Sequence, residues 1–423
     1  MNSLRIYYFF VFSMYAVVVP HYQLFLAALG YSPREVGLLI GFFEMLGVVG
    51  PILFGIVADR TGRFRELKVA ATISGGVILV ALLTRLPVIA AIWISGAAGF
   101  LLKTSVPLTD AVAGTVLTDP REQYGRVRVF GSIGFGATAL AIPFLSLIDA
   151  TDPASMIIAF LVAIAIFSIV VLIVPVPRRV LEVRDASGSG TGARADMIAP
   201  RETGTDQATG ADPDTAASKN TLEGVPGGPR DATGIPRSFW LVIAAVTVGN
   251  IAFGAYNSFF SLYLREALAI RSVTVFWAIG AFSEIPIVFF SGRLIKRYGT
   301  GSLLVFAGAT MAVRLFLYAL RPSIPLIILI QTLHAFSFGL MLSAGIAYVN
   351  RAIPMDRRAS ATTTFNAIGI GLAVFVGSTL GGYLVEAVGF GLMFAVVGLF
   401  PAASSIVFRF LRSRDPFLQV ETG

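Results

Sequence analysis

The feature that most limits what this chain can fold into is a recurring one. Mostly apolar runs follow one another along it, separated by short breaks rich in charge, glycine or proline. Each run can supply the ~20 residues that an α-helix needs to cross ~30 Å of hydrocarbon. They lie at 5–29, 33–58, 67–85, 88–116, 124–149, 154–175, 237–264, 272–296, 301–320, 323–350, 358–387 and 390–411. A water-soluble domain has no use for so many, because its surface is wet and only its interior is dry. In a bilayer each spanning segment must satisfy its own backbone polar groups, which helices do. The expected fold class is therefore an all-α membrane protein with twelve transmembrane helices.

Composition narrows the function classes. Of 423 residues, 56% are apolar and 13% charged, with a mean hydropathy of +0.81. The absence of cysteine excludes disulfides, thiolate metal sites and a cysteine nucleophile, and two histidines leave little for a metal centre. No cofactor and no metal are expected. The net charge of +8 is spread over short loops without a continuous basic stripe, so nucleic acid is not an expected partner. No phosphate-cradling loop and no catalytic constellation is present, so the chain does not read as an enzyme. The first run is too long for a signal core and holds Pro20, His21 and Gln23, so it reads as a span rather than a cleaved leader. With both termini on one side, that side carries 25 of the 32 Lys and Arg residues at or near its loops, and the other side five. The bias puts the termini in the cytoplasm of a multi-pass cytoplasmic (inner) membrane protein. A monomer is expected, with the lipid bilayer and a small molecule as partners.

Residues 176–236 differ from the rest. They are rich in Gly, Ala, Asp, Thr, Pro and Arg and include SGSGTGARAD and GVPGGPRDATG. Such a segment buries too little apolar surface to offset its ordering entropy, so it reads as a flexible cytoplasmic linker. It separates an N-terminal six-helix bundle, 1–175, from a C-terminal one, 237–423. An internal repeat relates the two. Gly55-Ile-Val-Ala-Asp59-Arg60-Thr61-Gly62 matches Gly292-Arg293-Leu294-Ile295-Lys296-Arg297-Tyr298-Gly299 at an offset of 237, and Ile133-Gly134-Phe135-Gly136 matches Ile368-Gly369-Ile370-Gly371 at 235. Parallel repeats around a central site are a recurring carrier design.

The string Gly55-x-x-x-Asp59-Arg60-x-Gly62-Arg63 resembles the signature loop of the major facilitator superfamily. That resemblance implies two pseudo-symmetric six-helix bundles, and a role for the loop in holding the halves in one conformation. Val106-Pro107-Leu108-Thr109-Asp110-Ala111 and Tyr124-Gly125-Arg126-Val127-Arg128-Val129-Phe130-Gly131-Ser132 are similar to the phenylpropionic acid transporter and lactose permease-like branch. Ser283-Glu284-Ile285-Pro286, Ala312-Val313-Arg314 and Gln331-Thr332-Leu333-His334 continue the match in order.

A charge in hydrocarbon costs at least ~2.5–3.5 kcal/mol, so it usually faces a wet cavity or a partner. The candidates are Glu44, Lys103, Asp110, Arg128, Glu284, Arg314, His21 and His334. Adjacent antiparallel spans can bring Asp110 and Arg128 together, and the guanidinium fork can take a carboxylate in bidentate fashion. The resemblance implies that this pair binds substrate; a structural ion pair is the alternative. It also implies that Glu284, Arg314 and His334 couple protons to transport, although Ser337 stands where the permease carries a second acidic residue. Lys103 either draws an anionic solute or pairs with Glu44. Glu44 is either pore-facing or a helix contact, and His21 either a polar contact at the Pro20 kink or a proton relay. Phe135 replaces the permease's sugar-stacking tryptophan, which suits an aromatic or apolar carboxylate better than a galactoside. The expected function is import of a small organic solute, an organic acid favoured, by proton symport with alternating access. Export of drugs or metabolites, sugar or nucleoside symport, and a non-transporting receptor are the alternatives.

Overall fold

The computed structural model describes residues 1–117, 120–175 and 235–420. The expected linker, 176–236, lies outside the described residues except for Ile235 and Pro236.

Twelve membrane-crossing segments are present. Span 1 is Asn2–Ala28. Span 2, Pro33–Thr61, begins with a reciprocal cap: the Ser32 side chain accepts the Glu35 N–H, and the Glu35 carboxylate accepts the Ser32 N–H. Span 3 runs Phe64–Val80 and ends in the 3-10 turn Ala81–Thr84. Span 4 is in two pieces, Val88–Leu102 and Ser105–Val116, broken at the polar residues Lys103 and Thr104. Span 5 is Pro120–Phe144 and span 6 Pro153–Ile173, the latter capped by Asp152, which accepts the N–H groups of Ala154 and Ser155. Span 5 stops five residues short of the expected 149. The apolar character continues past Phe144 but the backbone turns away, with Ser146 at φ 48.

Span 7 is Arg237–Leu262, extended by the π turn Tyr263–Ala267. Spans 8 and 9 share Val273–Ala319, which reverses at Gly299. Span 10 comprises Ile324–Thr332, the π turn Ala335–Gly339 and Leu340–Ala352. Span 11 comprises Met355–Asn366, the π turn Ala367–Leu372 and the first part of Ala373–Leu411; past Gly389 that stretch is span 12.

The backbone carries the repeat further than residue identity does. Among the described residues eight have positive φ, and they fall into four pairs closing equivalent spans. Gly30 and Ala269 follow spans 1 and 7, Gly62 and Gly299 follow spans 2 and 8, Arg85 and Arg321 follow spans 3 and 9, and Ser146 and Gly389 follow spans 5 and 11. Arg85 and Arg321, at φ 50 and 51, hold the left-handed conformation without a glycine to mark it. Helix packing repeats as well: a Cβ on Gly134 would lie 2.2 Å from Phe9 O, and one on Gly377 1.9 Å from Ile251 O. Close backbone approach of this kind is how membrane helices gain contact where no hydrophobic force drives them together.

The two halves meet along a seam, chiefly between spans 2 and 11 and between spans 5 and 8. A stripe on span 2, spaced so that its members share one helix face, reads Gly37, Gly41, Glu44, Val48, Gly55. Gly37 sits against Ser378 and Gly382, Gly41 against Phe375 and Thr379, and Val48 against Gly371. At Gly55, nearest the face bearing the termini, nothing lies within 4 Å of where a Cβ would be. Span 5 shows the same divergence: Gly136 touches the Phe282 ring, whereas Gly125, three turns earlier on that face, meets open space. The halves are closed at the far face and splayed toward the termini face. Polar bonds reinforce the closed end. Gln23 accepts the N–H groups of Ser261 and Leu262 and donates to Asn257 O. The Arg34 N–H donates to Glu386, and its guanidinium lies 4.2 Å from the Tyr383 ring centroid.

Candidate functional site

Three polar clusters lie where hydropathy alone would place lipid-like side chains. The first is built by spans 1, 4 and 5 in the open half. Asp110 Oδ1 accepts hydrogen bonds from the Tyr8 hydroxyl and, at 3.1 Å, from the Tyr124 hydroxyl. Arg128 does not form the expected ion pair with Asp110. Its guanidinium carbon stands 4.0 Å from the centroid of the Phe12 ring and 5.7 Å from that of Tyr8. Among the described residues it has no hydrogen bond and no carboxylate within 4 Å. The reason is local: two phenols hold Asp110, while the weakly hydrated, planar guanidinium lies on an aromatic face. Behind Asp110, Lys68 is fully buried, donating to Thr109 Oγ1 at 2.9 Å and lying 5.0 Å from the Tyr7 ring centroid.

The second cluster joins spans 8, 9 and 10. His334 Nε2 lies 3.1 Å from Glu284 Oε1, which brings two of the three expected coupling residues together. Arg314 is wholly buried and makes neither contact directly. It donates to Ser337 Oγ at 2.7 Å, Gln331 Oε1 at 3.0 Å and Ile330 O at 3.3 Å, and stands 5.0 Å from the Tyr256 ring centroid. Gln331 in turn accepts from the Tyr256 hydroxyl and donates to Phe276 O. Ser337 therefore stands in the sequence where an acid was looked for, and in space it is a hydroxyl partner of the cation. The π turn Ala335–Gly339 carries it, and such turns recur at functional sites. His334 Nδ1 is buried with no hydrogen-bond partner among the described residues, and its ring lies nearly parallel to Phe338 at 6.0 Å.

The third cluster is the Glu44–Lys103 ion pair, 2.6 Å long, between spans 2 and 4. This is the pairing that one of the readings of Lys103 expected. Lys103 sits at the break in span 4, its stem laid across Gly47, where a Cβ would be 2.7 Å from Lys103 Cγ. His21 bonds its own helix through Nδ1 to Val17 O at 2.8 Å, one turn above Val17.

Phe135 does not line the first cluster. It packs with Ala16, Ala139 and Ala278 in the seam between halves. In the loop resembling the superfamily signature, Gly62 ends span 2 at φ 72 with its N–H on Ala58 O, and the Arg63 N–H donates to Thr61 Oγ1. Asp59, Arg60 and Arg63 are exposed at the open face. Among the described residues no group of three or more His, Cys, Asp or Glu could hold a metal. Sequence reasoning did not single out Tyr8, Lys68, Tyr256 or Gln331 as members of these clusters. Gln331 and Tyr124 stood in quoted motifs, but nothing in the pattern marked their partners.

The family pattern described as the MFS_1 like family matches residues 1–396. The chain is 23% identical to the maltose permease of Geobacillus stearothermophilus, over 97% of this chain and 94% of that one. It is 22% identical to the probable 3-phenylpropionic acid transporter of Escherichia coli (strain K12), over 92% of each. Its fold is that of the nucleoside transporter NupG, with a TM-score of 0.71 at 16% identity, covering 97% of this chain and 98% of that one.

Proposed function

The chain belongs to the MFS_1-like family of the major facilitator superfamily and is a membrane transporter, not an enzyme; from that premise we propose that it imports an organic acid together with a proton. The observation that carries this is Arg128: a cation in the open half, resting on Phe12, with no hydrogen bond and no carboxylate within 4 Å among the described residues. A solute carboxylate supplies what the guanidinium lacks, and the adjoining Phe12 and Tyr8 faces suit an aromatic body. Asp110 positions the two tyrosines that frame the anchor. The relatives point to more than one substrate class, and the unpaired Arg128 favours the acid among them.

On the same reading Glu284, His334 and Arg314 form the proton-linked cluster. Glu284 shares a hydrogen-bonding contact with His334, so a proton arriving there alters a bond that joins spans 8 and 10. The basic termini face is cytoplasmic, which makes the state described the inward-open one, with the far-face seam between spans 2 and 11 as its closed gate. The segment 1–175 and the segment from 237 onward act as the two rocking bundles, joined by a cytoplasmic linker over 176–236. The signature loop, Gly55, Asp59, Arg60, Gly62 and Arg63, lies at the splayed end of span 2 and engages the opposing half when the termini face closes. The test is uptake by purified protein in proteoliposomes of labelled 3-phenylpropionate, maltose and uridine. Saturable uptake of the acid, with the sugar and nucleoside failing to compete, is the expected result. Preferential uptake of maltose or uridine overturns the substrate class.

A further inference from the structure

We propose that the Glu44–Lys103 pair is a charge-exchange site, in which the solute's carboxylate replaces Glu44 on Lys103 while Glu44 takes up the co-transported proton. This deepens the acid–proton reading and rests on it. Three observations on different elements support the assignment.

The first is direction. Glu44 lies on the span 2 stripe whose other members, Gly37, Gly41 and Val48, touch span 11, so its side chain is aimed at the seam between halves and not at lipid. The second is partnership. Among the described residues the two side chains hydrogen-bond only each other, at 2.6 Å, the ammonium also lying 5.6 Å from the Phe43 ring centroid, and they remain 18% and 26% exposed. A bridge buried for stability has its remaining donors and acceptors filled. Here Lys103 has two further donors and Glu44 a second oxygen to offer. The third is position on the chain. Lys103 sits in the break of span 4, as the cap of its first piece, and Asp110 lies seven residues on, in the second piece. Span 4 thus presents an ammonium at its break and the tyrosine-framed carboxylate nearer the open end.

The surroundings fit a proton crossing at this point. A narrow crevice above Glu44 is lined by Tyr15, Tyr22 and Gln23 of span 1, Phe43 of span 2 and Asn257 of span 7. Its free volume of 20 Å³ is about that needed for one water. Gln23 and Asn257 belong to the far-face seam, so the crevice leads toward the side from which the proton enters. The titratable groups facing Glu44 are Lys103 from span 4 and Tyr15 and Tyr22 from span 1. Span 7 contributes the neutral Asn257, and span 11 Phe375 and Thr379, neither of them charged.

The exchange balances. With the far face open, a proton from that side bonds to a Glu44 carboxylate oxygen, and the ion pair to Lys103 is lost. The solute carboxylate then takes the ammonium, so the site holds one cation and one anion before and after. With the termini face open, the solute carboxylate passes from Lys103 to Arg128 and leaves, Glu44 gives its proton to the cytoplasm, and the pair re-forms as it stands in this structure. No bond other than O–H is made or broken. This assigns the substrate-side carboxylate exchange to the first half, where Ser337 leaves the second half without the acid that the resemblance led one to look for.

The experiment uses full-length protein in proteoliposomes, with labelled 3-phenylpropionate as the solute. Glu44→Gln is expected to lose accumulation driven by an inward proton gradient by more than about tenfold, while solute-for-solute exchange stays within about threefold of wild type. Lys103→Gln is expected to raise the KM of exchange by about tenfold or more. Accumulation by Glu44→Gln equal to wild type overturns the proposal. So does full activity in the double variant Glu44→Gln/Lys103→Gln, which identifies a merely structural bridge. If Glu44→Gln does not fold, Glu44→Asp decides: a displaced external-pH midpoint for uptake supports the assignment, and an unchanged midpoint refutes it. Wild-type protein that fails to accumulate the acid sinks the transport reading itself, a result distinct from every variant outcome.

Discussion

Replacing Arg128 removes the cation that the acid reading places at the open end of the site. The guanidinium spends no hydrogen bond on the protein, so a carboxylate binding to it displaces water and not a protein partner. Hydrogen bonds to charged groups contribute about 1.5–3 kcal/mol. At 1.4 kcal/mol per decade, Arg128→Ala should raise the KM for an aromatic acid by about 10–100-fold. Arg128→Lys keeps the charge but loses the planar fork and its contact with the ring 4.0 Å away, so it should fall between the two, at about 3–10-fold. Folding should change little, because the residue's recorded contacts are the faces of Phe12 and Tyr8, worth about 0.5–1 kcal/mol at a site open to water. Initial rates of labelled 3-phenylpropionate uptake over a concentration series, with thermal unfolding of each variant alongside, measure both quantities. A KM within twofold of wild type in Arg128→Ala, with intact protein, refutes the anchor. An equal rise in KM for an uncharged solute would show that the site had merely lost its shape.

Glu284→Gln and Arg314→Ala should each abolish gradient-driven accumulation. The glutamine variant should remain folded at wild-type level, whereas Arg314→Ala empties a wholly buried site and strands the partners Ser337 and Gln331, so its melting temperature should fall as well. Unchanged accumulation in both removes the cluster from coupling. Gly37→Val should open the far face: its Cβ would stand 2.4 Å from Ser378 O and 3.1 Å from Gly382 Cα, contacts that exist only while the seam is shut. An overpacking cost of about 1–3 kcal/mol on that state alone shifts the balance by about 5–150-fold. Since the chain has no cysteine, a single Asn257→Cys reports the change as faster labelling by a membrane-impermeant maleimide; an unaltered rate contradicts it.

The spans were legible because each crossing must bring its own apolar run, and no packing partner can substitute for one. Their ends and breaks were less so. The interruption between Leu102 and Ser105 falls on Lys103 and Thr104, polar residues inside a run that reads as one span. The left-handed Arg85 and Arg321 carry no glycine to announce them. The charges well inside the apolar runs were equally visible, since each is costly in oil, whereas Lys68, buried at the edge of its run, was not singled out. Their partners were not, because a helix apolar on all sides does not encode its own rotation. Asp110 and Arg128 were both identified, yet two tyrosines separate their roles. Ser337 was noticed only as a missing acid, although Arg314 uses it as an acceptor. Phe135 was matched to a ring-stacking position, and Phe12, unmarked in the sequence, holds the ring beneath the guanidinium. The pairing of Glu44 with Lys103 was one of two open readings, and only the coordinates show the contact.

The most direct measurement follows both cargoes at once in wild-type proteoliposomes: labelled 3-phenylpropionate, and internal pH from an entrapped dye, with membrane potential clamped. An inward acid gradient should drive the solute above its external concentration, and an inward solute gradient alone should acidify the lumen. Solute that only equilibrates, with no change in internal pH, contradicts the account.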